Sequence, residues 1–362
     1  MAELRTVEYT ANQNLSRPTQ TPTGSSTDQI PGNPKYVKPV KSPISMGELV
    51  AHYREYELSD SNDEAKAYST RDRCDSVLNK WVLPYWQNAK IDEIRTVQVE
   101  SWLRGLSRAK GTKAKIRKTL CLLYNHAIRW EFTSRNPISG PVRGSGVRQS
   151  EKRERFPAVL SAHEFRILND ALPLRECVLV CVALSIGLRR GELAGLRWED
   201  VDYEQLTLTI RRSVVDQVVG RVKTEASQRP LPLDNRIARL LRKWYSVSKY
   251  KSAKDYIFAT DSNRAGNQRG RQPVSLAKIM QYHIQPTARA LGITKKIGWH
   301  TLRHTYATSL NQNGEGIKVI QELLRHSSSR ITLDIYAQAV TADKRKAQSR
   351  VVNVFVKKLS SA

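Results

Sequence analysis

Residues 206–233 read LTLTIRRSVVDQVVGRVKTEASQRPLPL, and here the hydrophobic period changes. Leu206, Leu208 and Ile210 alternate with Thr207, Thr209 and Arg211, valines dominate the run from Val214 to Val222, and Arg229–Leu233 closes the stretch. Alternation puts apolar side chains on one face of an extended chain and polar ones on the other. The pattern predicts a small antiparallel sheet of three strands, with a turn near Gly220 and a last strand at 229–233.

On both sides the spacing is helical. Ser45-Met-Gly-Glu48 and Ser161 with Glu164 are capping-box patterns that open helices, and Asp234 is a third cap. Helices are predicted around 65–82, 96–107, 112–131, 161–168, 174–186, 234–248, 275–290, 301–313, 316–325 and 331–340, with Gly187 ending the strongly apolar one at 174–186. The fold expected is mainly α: an all-helical N-terminal domain, then an α+β domain of helices carrying the small antiparallel three-stranded sheet.

Composition divides the chain further. Residues 11–43 are rich in Thr, Pro, Asn, Gln, Ser and Gly, too polar to repay the entropy of ordering. Residues 138–156 mix Gly, Ser and Arg without periodicity, the composition of an exposed linker. The expected organisation is a flexible arm over 1–44, a helical domain over 45–140, a linker over 141–156, a second domain over 157–345 and a tail over 346–362. That tail carries Val351, Val352, Val354, Phe355 and Val356 among basic residues and could dock in its own molecule or on a second copy.

The chain has 362 residues, 60 Lys+Arg against 34 Asp+Glu, and a formal net charge of +26. The excess is +2 over 1–45, +7 over 46–155 and +17 over 156–362, so it runs through both predicted domains rather than sitting in a tail. Such a field attracts polyanions, and extended contact with a nucleic-acid backbone accounts for it most simply. Its densest block is 104–118, where Arg104, Arg108, Lys110, Lys113, Lys115, Arg117 and Lys118 occur without an acidic residue across the start of a helix. A solvated helix face is the bland alternative; seven cations of one sign favour phosphate contact. A mean hydropathy of −0.52, with no long apolar run and no N-terminal apolar stretch, gives no membrane span or secretory signal, and a soluble cytoplasmic protein is expected. Cys74, Cys121, Cys177 and Cys181 lie in apolar periodic stretches without C-x-x-C spacing. Core packing is preferred over a disulfide framework, a zinc ribbon or a metal on the Cys177/Cys181 pair.

No P-loop, HExxH or carboxylate cluster supports nucleotide-driven or metal-driven chemistry, and no cofactor or metal is expected. Cations that could stabilise a phosphoryl group occur at three places. Gly187-Leu-Arg189-Arg190-Gly191-Glu192 is a tight turn between helices, Lys223 follows a strand, and His300-Thr-Leu-Arg303-His304 sets an imidazole and a guanidinium one turn apart on a helix. His326 and Tyr336 lie on the next segments.

This ordered set resembles the signature of the tyrosine recombinases, the phage-integrase family: Gly-Leu-Arg-x-Gly-Glu, a strand Lys-Thr, His-x-x-Arg-His-Thr-x-Ala-Thr, Leu-x-x-His-Ser-Ser, then Tyr ten residues on, over 187–336. The helices of 45–137 resemble that family's SAM-like core-binding domain. The resemblance implies that Arg189 and Arg303 clamp the scissile phosphate, Lys223 is general acid for the leaving 5′ oxygen, and His300 is general base or phosphate ligand. It implies that His326 donates to a non-bridging oxygen, Tyr336 is the nucleophile, and Glu192 buttresses the site. It also implies a homotetramer on paired double-stranded DNA sites, with a DNA-bending accessory factor as an optional partner. A phenol of pKa near ~10 needs such a cationic field to attack a phosphodiester.

The alternatives are a type IB topoisomerase and a non-catalytic DNA-binding regulator on the same fold; the helical domain and the intact Arg-Lys-His-Arg-His-Tyr set favour a recombinase. A three-histidine metal site at His300, His304 and His326 is disfavoured by Arg303 among them. Arg190 reads as a surface or backbone contact, Trp198, Trp244 and Trp299 as packing residues, and Ser275 as a helix cap. Where the family often has Leu-Gly-His, this chain has Leu324-Arg325-His326, expected to add a cation near the phosphate.

Overall fold

The computed structural model describes residues 44–59, 66–142, 144–148, 157–221, 229–261 and 271–326. The arm, Lys223, the predicted helix at 331–340, Tyr336 and the C-terminal tail lie outside the described residues.

The first group of helices comprises α1 (Met46–Tyr53), α2 (Tyr68–Val77), α3 (Leu83–Trp86), α4 (Thr96–Gly105) and α5 (Lys110–Arg129), with π-helical turns at Arg54–Leu58 and Leu78–Val82. The predicted helix at 65–82 is therefore α2 running through a π turn into α3. The Ser45 hydroxyl accepts from the Glu48 amide, as the capping box requires. Ile116, Leu120, Leu123 and Ala127 of α5 recur at helical spacing and are buried with Leu49, Val50, Leu78 and Leu103. Cys74 is buried among them.

Beyond α5 the structure departs from the composition. Ile138 and Val147 are buried against the same helices, the Val147 amide donates to the Ile138 carbonyl, and Arg117 Nε donates to the Val147 carbonyl at 2.8 Å. Residues 138–148 thus carry two apolar anchors in a stretch whose other described residues are mostly exposed.

The second group comprises α6 (Ala162–Ala171), α7 (Leu174–Ile186) and α8 (Arg190–Ala194), then strands β1 (Val201–Asp202), β2 (Thr207–Leu208), β3 (Arg212–Val215), β4 (Val218–Arg221) and β5 (Leu231–Pro232). Helices α9 (Asn235–Val247), α10 (Leu276–Ile279), α11 (Gln285–Ala290), α12 (Trp299–Gln312) and α13 (Ile317–Leu324) follow. Helix α7 is apolar from Cys177 to Leu184 and buries Val178, Leu179, Val180, Val182 and Ala183, packing against α9 and α12. Trp198 and Trp299 are buried in the same core, the Trp244 indole donates to the Ile257 carbonyl, and the Ser275 hydroxyl accepts from the Lys278 amide as a cap.

The fold class is as read, mainly helical with a small antiparallel sheet, but the strands are arranged differently. The three-stranded sheet has the order β1-β2-β5, while β3 and β4 form a separate hairpin. That hairpin turns at Asp216-Gln217, both at positive φ, and not near Gly220, which lies in β4 opposite Ser213. A turn at Gly220 would forfeit the Val214–Val219 and Val215–Val218 pairs, and aspartate tolerates the left-handed backbone that a two-residue hairpin requires.

Candidate active site

The site grows from the end of α7. Gly187 caps that helix with φ +67°, and a Cβ there would meet Tyr306 Cδ1 at 2.6 Å and Leu324 Cδ2 at 2.9 Å, so both conformation and space call for glycine. Two residues later Arg189 is the N-cap of α8. Gly191 lets α8 close on β3, since a Cβ would meet Ser213 Oγ at 2.4 Å. The Gly-Leu-Arg-Arg-Gly-Glu string is thus a helix stop, a tight approach and a helix start.

Arg189 is held by three bonds: its amide donates to Glu192 Oε2 at 2.9 Å, Nη1 donates to Glu192 Oε1 at 2.8 Å and Nη2 to the Arg325 carbonyl at 3.0 Å. A third of its side chain stays exposed. Arg303 comes up from α12, buried to 6% exposure, and donates to the carbonyls of Gly187 and Leu324, tying the ends of α7 and α13 together. Burial, then the repulsion of Arg189, brings its pKa down to about 9 while Glu192 opposes; it remains cationic at neutral pH.

Glu192 is 4% exposed. Burial pushes its carboxyl upward, but Arg325 and Arg189 more than reverse this and hold it below the usual carboxylate value. His326 follows α13, buried, with its amide on the Gln321 carbonyl. Burial, then Arg303 and Arg189, pushes its pKa down to about 4, so its imidazole is uncharged at neutral pH. His300 lies exposed one turn before Arg303, its ring 5.6 Å from that of His304.

The structure therefore brings Arg189, Glu192, Arg303 and His326 to one place and sets His300 on the helix that supplies Arg303; Lys223 and Tyr336 lie outside the described residues. Arg325, the cation that replaces the family's usual glycine, is turned inward. It is 2% exposed, with its Nη2 on Glu192 Oε2 at 2.6 Å, so it is no open phosphate ligand. Its backbone is left-handed, φ +52°, a conformation that costs a non-glycine residue about 1 kcal/mol. Among the described residues no group of His, Cys, Asp or Glu is arranged to hold a metal ion, and no helix is long and apolar enough to cross a membrane.

The basic block of 104–118 lies on α4, α5 and their connection. Arg104, Arg108, Lys110, Lys115 and Lys118 are exposed, with Arg104 paired to Glu100 and Arg108 over the Trp81 ring. Lys113 and Arg117 are half-buried on the carbonyls of Arg104 and Val147. Arg117 is thus committed to packing as much as to solution.

Residues 158–342 match the sequence profile of the phage integrase family. A tyrosine recombinase XerC-like protein of Caldanaerobacter subterraneus subsp. tengcongensis is 26% identical over 295 residues, covering 74% of this chain and 73% of its own. In fold, the chain is similar to the Tn1549 transposon integrase solved with transposon right-end DNA: TM-score 0.65, 18% identity, 85% of this chain and 100% of that one. It is also similar to a lambda integrase tetramer bound to a Holliday junction: TM-score 0.60, 19% identity, 81% of this chain and 77% of that one. The chain belongs to the phage integrase family. It is a tyrosine recombinase, an enzyme of site-specific DNA recombination.

Proposed function

We propose that the protein cleaves and rejoins duplex DNA through a covalent 3′-phosphotyrosine on Tyr336, exchanging strands by way of a Holliday junction to integrate or excise a mobile element. Arg189 and Arg303 clamp the scissile phosphate, neutral His326 donates to a non-bridging oxygen, His300 acts as base or ligand, and Lys223 protonates the leaving 5′ oxygen. The phenol proton leaves as the tyrosine oxygen attacks phosphorus and the P–O5′ bond breaks. Reversal by a 5′ hydroxyl rejoins the strand, and the bond energy is conserved in the phosphotyrosine.

The observation that carries this reading is the anchoring of Arg189 and Arg303 on one pair of helix ends beside His326. Guanidiniums fixed before the phosphate arrives need no reorganisation during reaction. The helical domain of 45–140 grips the duplex opposite the catalytic domain of 157–345 through the basic block of α4 and α5. Assembly is a homotetramer on paired sites, as in the lambda integrase structure, acting in the cytoplasm with a DNA-bending factor where the sites demand it.

The test is an SDS-resistant adduct assay in EDTA on DNA fragments flanking the protein's own gene, with wild type beside Tyr336→Phe. An adduct in the wild type alone is expected; one that persists in the variant would overturn the assignment of Tyr336.

A further inference from the structure

Three guanidiniums and one carboxylate meet where α8, α12 and α13 come together, and their bonds close a ring. Glu192 Oε1 accepts from Arg189 Nη1, Glu192 Oε2 accepts from Arg325 Nη2, and the Arg325 carbonyl accepts from Arg189 Nη2. Arg325 thus holds Arg189 twice, by its own backbone and through the shared carboxylate. Resting on the reading of Arg189 and Arg303 as the phosphate clamp, we propose that Arg325 is a positioning residue that neutralises Glu192, so that Arg189 keeps its charge and its orientation for the scissile phosphate.

Charge accounting gives the reason. Glu192, paired to Arg189 alone, would cancel one of the two clamp charges and leave a formal +1 at the site. With Arg325 on the other oxygen, three cations and one anion leave +2. The interaction is strong because both partners are buried, at side-chain exposures of 1% and 4%.

The geometry also excludes two plainer roles. Arg325 directs its Nη2 onto Glu192 Oε2, away from the open side of Arg189, and so acts through Glu192. Nor does it sit there as a filler, since among the described residues its Nε and Nη1 are buried without a hydrogen-bond partner, and its backbone is left-handed. A side chain that only packed the α13 terminus would not leave two charged donors unpaired. Those costs are offset where the cation is required.

The ring predicts a reversal that packing does not. Binding of inorganic phosphate at low ionic strength, followed by isothermal titration, would be compared among full-length variants, with Arg189→Ala subtracting ions held elsewhere on the basic surface. Arg325→Met should weaken the Arg189-dependent binding about tenfold. Adding Glu192→Gln to that variant should bring it back to within about twofold of wild type, because the carboxylate that needed neutralising is gone. A double variant as weak as Arg325→Met, or wild-type binding in Arg325→Met, would overturn the proposal. Wild-type binding in Arg189→Ala and in Arg303→Ala would instead sink the clamp and this proposal with it, so the two failures are distinguishable. Should Arg325→Met fail to give a cooperative melt, Arg325→Lys keeps the charge and should bind within about threefold of wild type; binding as weak as in Arg189→Ala would overturn the charge role.

Discussion

Arg303 on α12 and Lys118 on α5 count equally in the net charge of +26, yet the structure treats them in opposite ways. Arg303 is buried with its guanidinium on two backbone carbonyls; Lys118 is exposed on a helix face. A buried, anchored cation has lost its rotamer freedom in folding, so a phosphate meets it already in place. An exposed lysine contributes charge to the field but orders only on contact, and salt screens it. On the function proposed, position on a nucleic acid and chemistry on one of its phosphates ask different things of the same kind of side chain.

The difference can be broken most severely at Arg303. Arg303→Ala should lower the rate of adduct formation by about a hundred- to a thousandfold on whichever fragment the wild type attacks, as loss of a preorganised donor does elsewhere. A loss below about tenfold would place Arg303 with the field residues. Gly187→Ala attacks the same anchor from the backbone: a left-handed φ and a 2.6 Å approach to Tyr306 should cost about 3 kcal/mol in urea denaturation, against almost nothing for an alanine at exposed Gly111.

Acid sharpens the comparison. His326 and His126 each have a folded pKa of about 4, below the ordinary 6.5, with burial the largest cause in both and, after it, Arg303 at His326 and His52 at His126. The unfolded chain therefore takes up protons that the folded chain refuses. Stability should fall as pH drops from about 6.5 toward 4, by up to about 1.4 kcal/mol per pH unit for each imidazole. Denaturation of His126→Gln across that range should show the smaller slope; an unchanged slope would remove that imidazole from the account. The smallest effect separates two neighbours on α5. Lys118→Ala should lower the salt-dependence slope of DNA binding by about 0.9, the release of one counterion. Arg117→Ala should change the slope less and cost about 1 kcal/mol of stability, because its Nε holds the Val147 carbonyl.

Much of this was legible in the sequence. Capping boxes at Ser45 and Ser161, the stop at Gly187 and the apolar run of α7 are local signals, and each sits where the periodicity placed it. Arg189, Arg303 and His326 stood out because each occupies a motif position of the tyrosine recombinase signature. The turn at Asp216-Gln217 was misread because a glycine is the commoner sign of a turn, while here the valine pairing fixes the register. Burial of Ile138 and Val147, and the inward turn of Arg325, depend on partners far along the chain. A basic residue shows no local sign of whether it faces solvent or a carboxylate 133 positions away.

The bonds from Arg303 to Gly187 and Leu324, and from Arg189 to Arg325, span 116, 21 and 136 residues. Consider the chain as it leaves the ribosome, N-terminus first. The basic block of α4 and α5 emerges before the residues around 325, whose backbone carbonyls hold Arg189 and Arg303. A chain that stops short of Leu324 keeps the basic block but lacks the carbonyls that anchor both arginines.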